Sequence, residues 1–273
     1  MRLYDQNIWG NFSADNQYVA NRTELVRDLI FELKPDFCCF QECNPNTVRA
    51  GEKGIAGLLK PCYIEVLPEF SHKNYTPVFY NPKKVTLIEA SYTPFEGLND
   101  LNSKSATWGV FEDNATKKRI CIMSVHFWWM AEGEKDNIQR KKNAESVSEI
   151  VKGLYEKYKA PVLIAGDLNS GDTRQGMGGY DRMCELGMSD VRYIAKNTDM
   201  SKTCSSEYPF YENGVYTKGI IPNQTIDYIF AYKKEYLVAE RFSVINTDKS
   251  RRSSDHLPLI FDFDVITGEK SYE

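Results

Sequence analysis

The segment from Pro161 to Ser170 holds an acid and an amide at a spacing that could serve hydrolysis. Asp167 and Asn169 follow the apolar run Val162 to Ala165, which is typical of a strand buried on both faces. If the backbone stays extended, both side chains point the same way. The carboxylate could then take a proton from water while the amide donates to a developing oxyanion. The same residues are equally typical of an Asx-turn, and this segment alone leaves both interpretations open.

Other polar residues also lie in or at the ends of apolar, strand-like runs. Each has an ordinary explanation, such as an amide that bonds to neighbouring backbone or the first solvated residue after a strand. Polar groups in such places are costly unless they are paired, and a whole series of them indicates a shared purpose. In chain order the series is Asn7, Glu42, His126, Asp167 with Asn169, Asp227, and Asp255 with His256.

Carboxylates in this series predict a metal-assisted phosphoester hydrolase. Glu42 and Asp255 can hold a hard cation such as Mg²⁺, with Mn²⁺ as the alternative, because Mg²⁺ takes one or two carboxylates together with water and phosphate oxygens. Asp167 can orient or deprotonate the attacking water.

The amides and histidines of the series can act on the phosphoryl group. Asn7, Asn169 and His126 can donate hydrogen bonds to its oxygens. Asp227 can hold His256 in a charged and oriented form, as carboxylates commonly do for catalytic imidazoles.

Alternating strands and helices must position these residues, and the pattern shows no repeat, linker or domain boundary. The apolar periodicity predicts a helix that Pro35 ends and a long helix from about Glu134 to Tyr158. The stretch from Glu96 to Ser105 reads as an exposed polar loop, and Val191 to Gly219 reads as irregular. A Gly-rich loop is predicted from Ser170 to Gly179. The predicted strands include 3–9, 36–42, 120–127, 162–165, 225–232, 237–245 and 260–265.

The composition is that of an ordinary globular protein of 273 residues, with 42% hydrophobic and 26% charged residues. A net charge of −4 does not favour a dedicated nucleic-acid binder, so nucleic acid is only one of the candidate substrates. No apolar run approaches the roughly 18 residues that span a membrane. The seven cysteines show no zinc or disulfide spacing. The start of the chain shows no secretory leader, so we expect a cytoplasmic monomer, or a secreted protein whose leader has been removed.

At these residues the chain resembles the endonuclease/exonuclease/phosphatase superfamily, which has the deoxyribonuclease-I-like fold. Six stretches follow the family's order over nearly the full length. They are Gln6-Asn7-Ile8-Trp9, Phe40-Gln41-Glu42, Ser124-Val125-His126, Gly166-Asp167-Leu168-Asn169, Ile226-Asp227-Tyr228-Ile229 and Ser254-Asp255-His256-Leu257-Pro258.

The resemblance implies a fold, a set of roles and a class of reaction. The expected fold is a four-layer α/β sandwich of two packed mixed β-sheets flanked by helices, formed by residues 1–273 as a single domain. By resemblance, Glu42 and Asp255 are metal-site carboxylates, and Asp227 is the partner of the catalytic His256. The expected reaction is hydrolysis of a phosphodiester, as in nucleases. The alternatives are a phosphatase or a phospholipid phosphodiesterase on the same fold, or a non-catalytic binding module.

The chain departs from the family pattern at two positions. Asn74 stands where many relatives carry a Glu that supports the histidine equivalent to His126. Trp128 stands where many carry Asp, so we expect it to form an apolar substrate-binding wall, with Trp129 buried. The alternative is that both indoles pack under the loop 131–136. Arg140 lies near the position of a substrate-binding Arg that opens the long helix in many members, and a solvated helix residue is the alternative.

Overall fold

The structure is a computed structural model that describes residues 1–10, 16–70, 72–171, 176–204, 207–212, 215–220 and 223–266. In these ranges the strands are β1 (Arg2–Asn7), β2 (Phe37–Gln41), β3 (Ile64–Glu65), β4 (Val78–Tyr80), β5 (Val85–Pro94), β6 (Ser105–Asp113), β7 (Arg119–His126), β8 (Val162–Asp167), β9 (Ser189–Asp190), β10 (Asn197–Thr198), β11 (Glu207–Glu212), β12 (Val215–Ile220), β13 (Asp227–Tyr232), β14 (Leu237–Val244) and β15 (Leu259–Val265). The helices are α1 (Asn16–Leu33), α2 (Ile55–Leu59), α3 (Glu134–Tyr158), α4 (Gly178–Glu185) and α5 (Asp248–Ser253).

Thirteen of these strands form two mixed sheets. The first sheet has the order β10-β14-β15-β1-β2-β4-β3, and the second has the order β5-β6-β7-β8-β13-β9. In the first sheet, β1 pairs with β2 in parallel and with β15 antiparallel. In the second sheet, β8 pairs with β7 in parallel and with β13 antiparallel. The antiparallel hairpin β11-β12 lies outside both sheets.

Alternation along the central strands builds the layers. In β2, Phe37 and Cys39 pack between the two sheets, whereas Cys38 and Phe40 pack outward against α1. In β8, Leu163 packs inward and its neighbours pack outward against α3. Because successive side chains of a strand point to opposite faces, each central strand is buried on both sides. The predicted four-layer α/β sandwich is confirmed.

Both long helices end at residues in the left-handed conformation. Lys34 (φ 49°) follows α1 and donates its backbone N–H to the Ile30 carbonyl. Pro35 follows, and it could not have continued the helix because it lacks an N–H. Lys159 (φ 50°) ends α3 in the same way, with its N–H bonded to the Tyr155 carbonyl.

The prediction of irregular structure for residues 191 to 219 needs correction. That stretch was expected to be irregular, but its second half contains the hairpin β11-β12. The alternating aromatic residues of Glu207–Glu212 favour a strand, and Pro209 is tolerated because a two-stranded ribbon consists of edge strands. Of the predicted Gly-rich loop 170–179, residues 172–175 lie outside the described ranges.

The single-domain organisation stays a prediction. It is supported by the pairing of β1 with β15, which joins strands near opposite ends of the described chain in one sheet. Among the described helices, none combines the length and the apolar character that crossing a membrane requires.

Candidate active site

A cleft of about 490 Å³ opens at one end of the layer between the two sheets. Five residues of the series predicted from the sequence line it together with residues from the loops around it. The lining residues are Trp9, Glu42, Asn44, Tyr75, Asp100, Leu101, Ser103, Lys104, Trp129, Asp167, Asn169, Asp255 and His256.

Strand register explains how the buried part of the site is assembled. In the second sheet, Asp167 at the end of β8 pairs with His126 on β7 and with Asp227 on β13. Leu163, four positions before Asp167, faces the layer between the sheets. By alternation Asp167 faces the same layer. Two neighbouring strands therefore end, and the antiparallel β13 begins, with a polar residue at one level of the sheet.

Asp167 is held on both of its oxygens. Oδ1 accepts the backbone N–H of Asn169 at 2.7 Å, and Oδ2 accepts the Asn7 amide at 2.9 Å. Burial disfavours its charged form, but the hydrogen bond with His126 and the charge of His256 outweigh burial and hold the pKa of Asp167 below its usual range. The carboxylate is therefore ionised at neutral pH.

The Asp167–Asn169 pair forms the Asx-turn and also lies in the cleft, whereas its catalytic role stays a prediction. The bond from Asn169 N to Asp167 Oδ1 is the Asx-turn, and both side chains nevertheless line the cleft. The argument from an extended backbone was wrong, because Asn169 has φ 45° and lies beyond the end of β8. Its amide Nδ2 lies 3.1 Å from both the Phe127 carbonyl oxygen and His126 Nε2.

Asn7 contacts two carboxylates, and its predicted role in binding substrate stays a prediction. Its Nδ2 lies 2.9 Å from Asp167 Oδ2 and 3.3 Å from Glu42 Oε1. A side-chain amide has two N–H donors, and both are directed at carboxylates. These contacts give Asn7 the task of positioning two acids.

His256 forms the other wall of the site. Its Nδ1 lies 2.8 Å from Asp227 Oδ1, and Asp227 Oδ2 accepts the Thr203 hydroxyl at 2.6 Å. Burial alone would lower the pKa of His256, but the charge of Asp227 raises it well above the usual value. His256 is therefore a cation that lines the cleft, and its Nε2 lies 3.9 Å from Asp255 Oδ1.

Cys204 lies beside Asp227 and His256, and the sequence did not predict this contact. Its Sγ lies 3.9 Å from His256 Nδ1, and ligand atoms of Cys204, Asp227 and His256 lie within 4.8 Å of one another. The spacing of Cys204 and His256 along the chain matches no zinc motif, so the sequence carried no signal for the contact. The short bond between Asp227 and His256 identifies the cluster here as a carboxylate–imidazole pair with a buried thiol beside it.

Glu42 and Asp255 are the carboxylates predicted to hold a metal. Both line the cleft, and their side chains are only 17% and 16% exposed. Burial raises the pKa of Asp255 to about 6, and the neighbouring charge of Glu42 acts in the same direction. Two hard oxygen donors that repel each other at a solvent-facing cleft fit a divalent cation of the Mg²⁺ type.

His126 lies in different surroundings. It is fully buried, and Lys104 Nζ lies 3.1 Å from its Nε2 and 3.3 Å from its Nδ1. Burial and the charge of Lys104 lower the pKa of His126, so the imidazole is neutral. Lys104 belongs to the stretch Glu96–Ser105, which was expected to be exposed; Ser103 and Lys104 are instead 3% and 2% exposed.

Comparison with known proteins places the chain in a family. A sequence profile of the Endonuclease/Exonuclease/phosphatase family matches residues 6–256. The chain belongs to this family. No curated protein sequence matches it significantly. Members of the family are phosphoester hydrolases, and the fold and the order of the six stretches agree with the resemblance seen in the sequence.

Solved structures share the fold at low sequence identity. A mannosyl-6-phosphatase of Bacteroides thetaiotaomicron superposes with a TM-score of 0.73 at 19% identity, covering 97% of this chain and 99% of that one. The human Nocturnin catalytic domain with bound sulfate gives 0.70 at 15% identity, over 97% and 94%. D. rerio TDP2 in complex with a single-stranded DNA product gives 0.68 at 17% identity, over 97% and 99%. These likenesses concern the fold.

Within this endonuclease/exonuclease/phosphatase protein, Asn74 does not take over the role of the family's Glu. Its Oδ1 accepts the Thr76 backbone N–H at 2.8 Å and the Thr107 hydroxyl at 3.1 Å. Lys104 contacts His126 instead, so a cation stands beside an imidazole that an acid supports in many family members.

The predicted burial of the two tryptophans is reversed. Trp128 is 5% exposed and donates its indole N–H to Asp136 Oδ1 at 2.7 Å, whereas Trp129 is 47% exposed and lines the cleft. The prediction assumed an extended backbone beyond His126. Because β7 ends at His126, the alternation of faces does not continue to the tryptophans.

Arg140 does not line the cleft. Its side chain is buried, and Nη1 donates to the Met130 carbonyl at 2.6 Å. Arg140, which lies on α3, therefore supports the segment that carries Trp128 and Trp129. The solvated alternative was wrong, because the first turns of α3 pack against this segment, and the substrate-binding role stays a prediction.

Proposed function

We propose that the protein hydrolyses a phosphate ester with the help of a divalent metal ion. The observation that carries this proposal is the pairing, in one cleft, of the ionised Asp167 with the cationic His256. An acid that accepts a hydrogen bond from water and a cation that donates to a phosphoryl oxygen are the two groups that this hydrolysis needs.

Asp167 orients the attacking water in this proposal. Its lowered pKa makes it a weak proton acceptor, because general bases work best with a pKa near the operating pH. It is suited to accepting a hydrogen bond from water, and Asn7 and the Asn169 backbone N–H fix the direction of its oxygens.

His256 stabilises the charge that develops on the phosphoryl oxygens. Asp227 fixes Nδ1, so the protonated Nε2 is the donor that remains for the substrate. Asn169 holds His126 and the Phe127 carbonyl in place at the end of β7. Removing one donor of this kind typically costs about 10²–10³ in kcat.

Glu42 and Asp255 would hold Mg²⁺, or Mn²⁺ as the alternative. When bound, such an ion neutralises phosphate charge and polarises the phosphoryl group. A metal would also remove the repulsion between the two carboxylates, which is a reason for their proximity that a metal-free binding module lacks.

The decisive experiment is a substrate panel in Mg²⁺ or Mn²⁺. It contains p-nitrophenyl phosphate, bis(p-nitrophenyl) phosphate, plasmid DNA, RNA, sphingomyelin and inositol phosphates. We expect turnover of at least one member, full loss in excess EDTA and recovery on adding the metal back.

Glu42→Ala and the exposed Glu52→Ala form a matched pair for this assay. Glu42→Ala should weaken Mg²⁺ binding in calorimetry and lower the rate, whereas Glu52→Ala should leave both unchanged. Full activity in EDTA would refute the metal proposal. Substrate binding without turnover of any member would favour the binding module.

A further inference from the structure

Lys104 is a buried cation in the cleft for which the proposed mechanism has no use. It directly precedes β6, and the Asn99 side chain fixes its backbone through one bond to the Lys104 N–H (3.0 Å) and one to its carbonyl (2.9 Å). The Phe95 N–H bonds to the same carbonyl at 2.9 Å. The chain therefore holds this lysine at a defined place on the wall beside Asp167.

Its ammonium group has more donors than the protein uses. A lysine has three N–H donors, whereas a neutral imidazole offers one acceptor nitrogen, and His126 is the partner of Lys104. Elsewhere in the described ranges, Nζ has no hydrogen-bond acceptor and no carboxylate oxygen within ion-pair distance. A buried ammonium group with unused N–H donors is costly. The donors that face the cleft therefore indicate that an anionic ligand binds there.

Charge in the cleft points the same way. Among the residues that the structure describes, the lining includes four acids, Glu42, Asp100, Asp167 and Asp255, and two cationic side chains, Lys104 and His256. His256 is already paired with Asp227. Among the described lining residues, Lys104 is thus the remaining cation for a phosphate that enters this acidic site.

We propose that Lys104 binds a terminal phosphate and that the substrate is a phosphomonoester; this rests on the proposed function. A monoester carries one more charge and one more free oxygen than a diester. In a diester that oxygen bears a second carbon substituent. Lys104 lines the cleft, is itself buried and contacts the fully buried His126, so the position beside it suits a free oxygen. The exposed Leu101 and Trp129 on the rim are left for the single ester group.

The experiment compares p-nitrophenyl phosphate with bis(p-nitrophenyl) phosphate in wild type, Lys104→Met, Lys104→Arg and the exposed control Lys83→Met. Wild type should have the higher kcat/KM for the monoester. Lys104→Met should lower that value at least about a hundredfold, the typical loss for a charged donor, and should change the diester value less than about threefold. Inorganic phosphate should inhibit wild type but not Lys104→Met. Lys104→Arg should recover part of the monoester activity, and Lys83→Met should match wild type.

Several outcomes separate this proposal from the one it rests on. Equal losses on both substrates would mean that Lys104 only positions His126, and would overturn the phosphate contact. A wild type that prefers the diester would overturn the substrate class even if Lys104→Met failed to fold. If wild type hydrolysed neither ester nor any other member of the panel, the proposed function itself would fail.

Discussion

Two buried histidines lie near acids of the site, but the structure gives them different charge, with His256 a cation and His126 neutral. His256 bonds to the carboxylate of Asp227, and the pKa of His256 rises well above its usual value. His126 lies against the ammonium of Lys104, and the pKa of His126 falls. Both rings are removed from water, so burial lowers both values. The charge of the neighbouring residue, Asp227 or Lys104, therefore accounts for the difference between the two pKa values.

This difference shows how one cleft can hold a proton donor and a neutral ring side by side. One pKa unit corresponds to about 1.36 kcal/mol, so a charged neighbour at hydrogen-bond distance is enough to fix the protonation state. The His256 side of the cleft is thereby suited to stabilising developing negative charge. The His126 side holds a neutral ring, and its cation belongs to Lys104.

The largest expected effect concerns catalysis. His256→Ala and Asp167→Asn should each lower kcat by at least about a hundredfold, with smaller changes in KM, because each removes a group that acts on the reacting atoms. His126→Ala should lower kcat by only about tenfold, since the neutral ring donates no charge. Steady-state kinetics on the best panel substrate decide this. Near-full kcat for Asp167→Asn, or equal losses for the two histidines, would remove the asymmetry.

The two tryptophans next to His126 offer an intermediate effect. Trp129→Ala should raise KM at an unchanged Tm, because an exposed indole on the cleft contributes roughly 1–3 kcal/mol if it stacks on a planar group. Trp128→Ala should lower Tm at an unchanged KM, because its indole is buried and bonded to Asp136. Melting curves and KM values for both variants test the reversed assignment. If Trp128→Ala alone raised KM, the assignment would be wrong.

The smallest effect is a pair of opposite shifts in pKa. Asp227→Asn removes the charge that raises the pKa of His256, so that pKa should fall. Lys104→Met removes a charge that lowers the pKa of His126, so that pKa should rise. The chain has three histidines, and His72 is exposed, so NMR titration of their ring protons can follow all three. Shifts of the same sign, or none, would contradict the electrostatic comparison.

The sequence predicted the layers and the site where a residue type and a regular backbone together determine position. Asp167 and His126 end neighbouring strands and Asp227 begins the antiparallel strand beside them, so a polar residue at the end of a buried run was a sufficient signal. The prediction of side-chain direction failed where the backbone leaves the strand. Asn169 takes a positive φ and Trp128 follows the last residue of β7, so alternation no longer predicts which way either side chain points.

Lys104 could not have been predicted from local pattern. It lies among polar residues of a loop, and only the packing of that loop over the end of the second sheet buries it. The same holds for Asp5, which is fully buried and accepts the Gln41 amide at 2.8 Å beneath the cleft. In both cases tertiary packing, rather than propensity, determines the environment.

The contact between the two ends of the described chain has a consequence for when the enzyme can become active. Gln6 donates its amide to the Ser253 hydroxyl and to the His256 carbonyl, residues 247 and 250 positions away in the chain. Closing such a long loop costs entropy before any contact repays it. During synthesis on the ribosome, His256 and Asp255 emerge after nearly all of both sheets. A nascent chain therefore carries Asp167 and Glu42 but no complete candidate site until β15, the last of the described strands, joins β1.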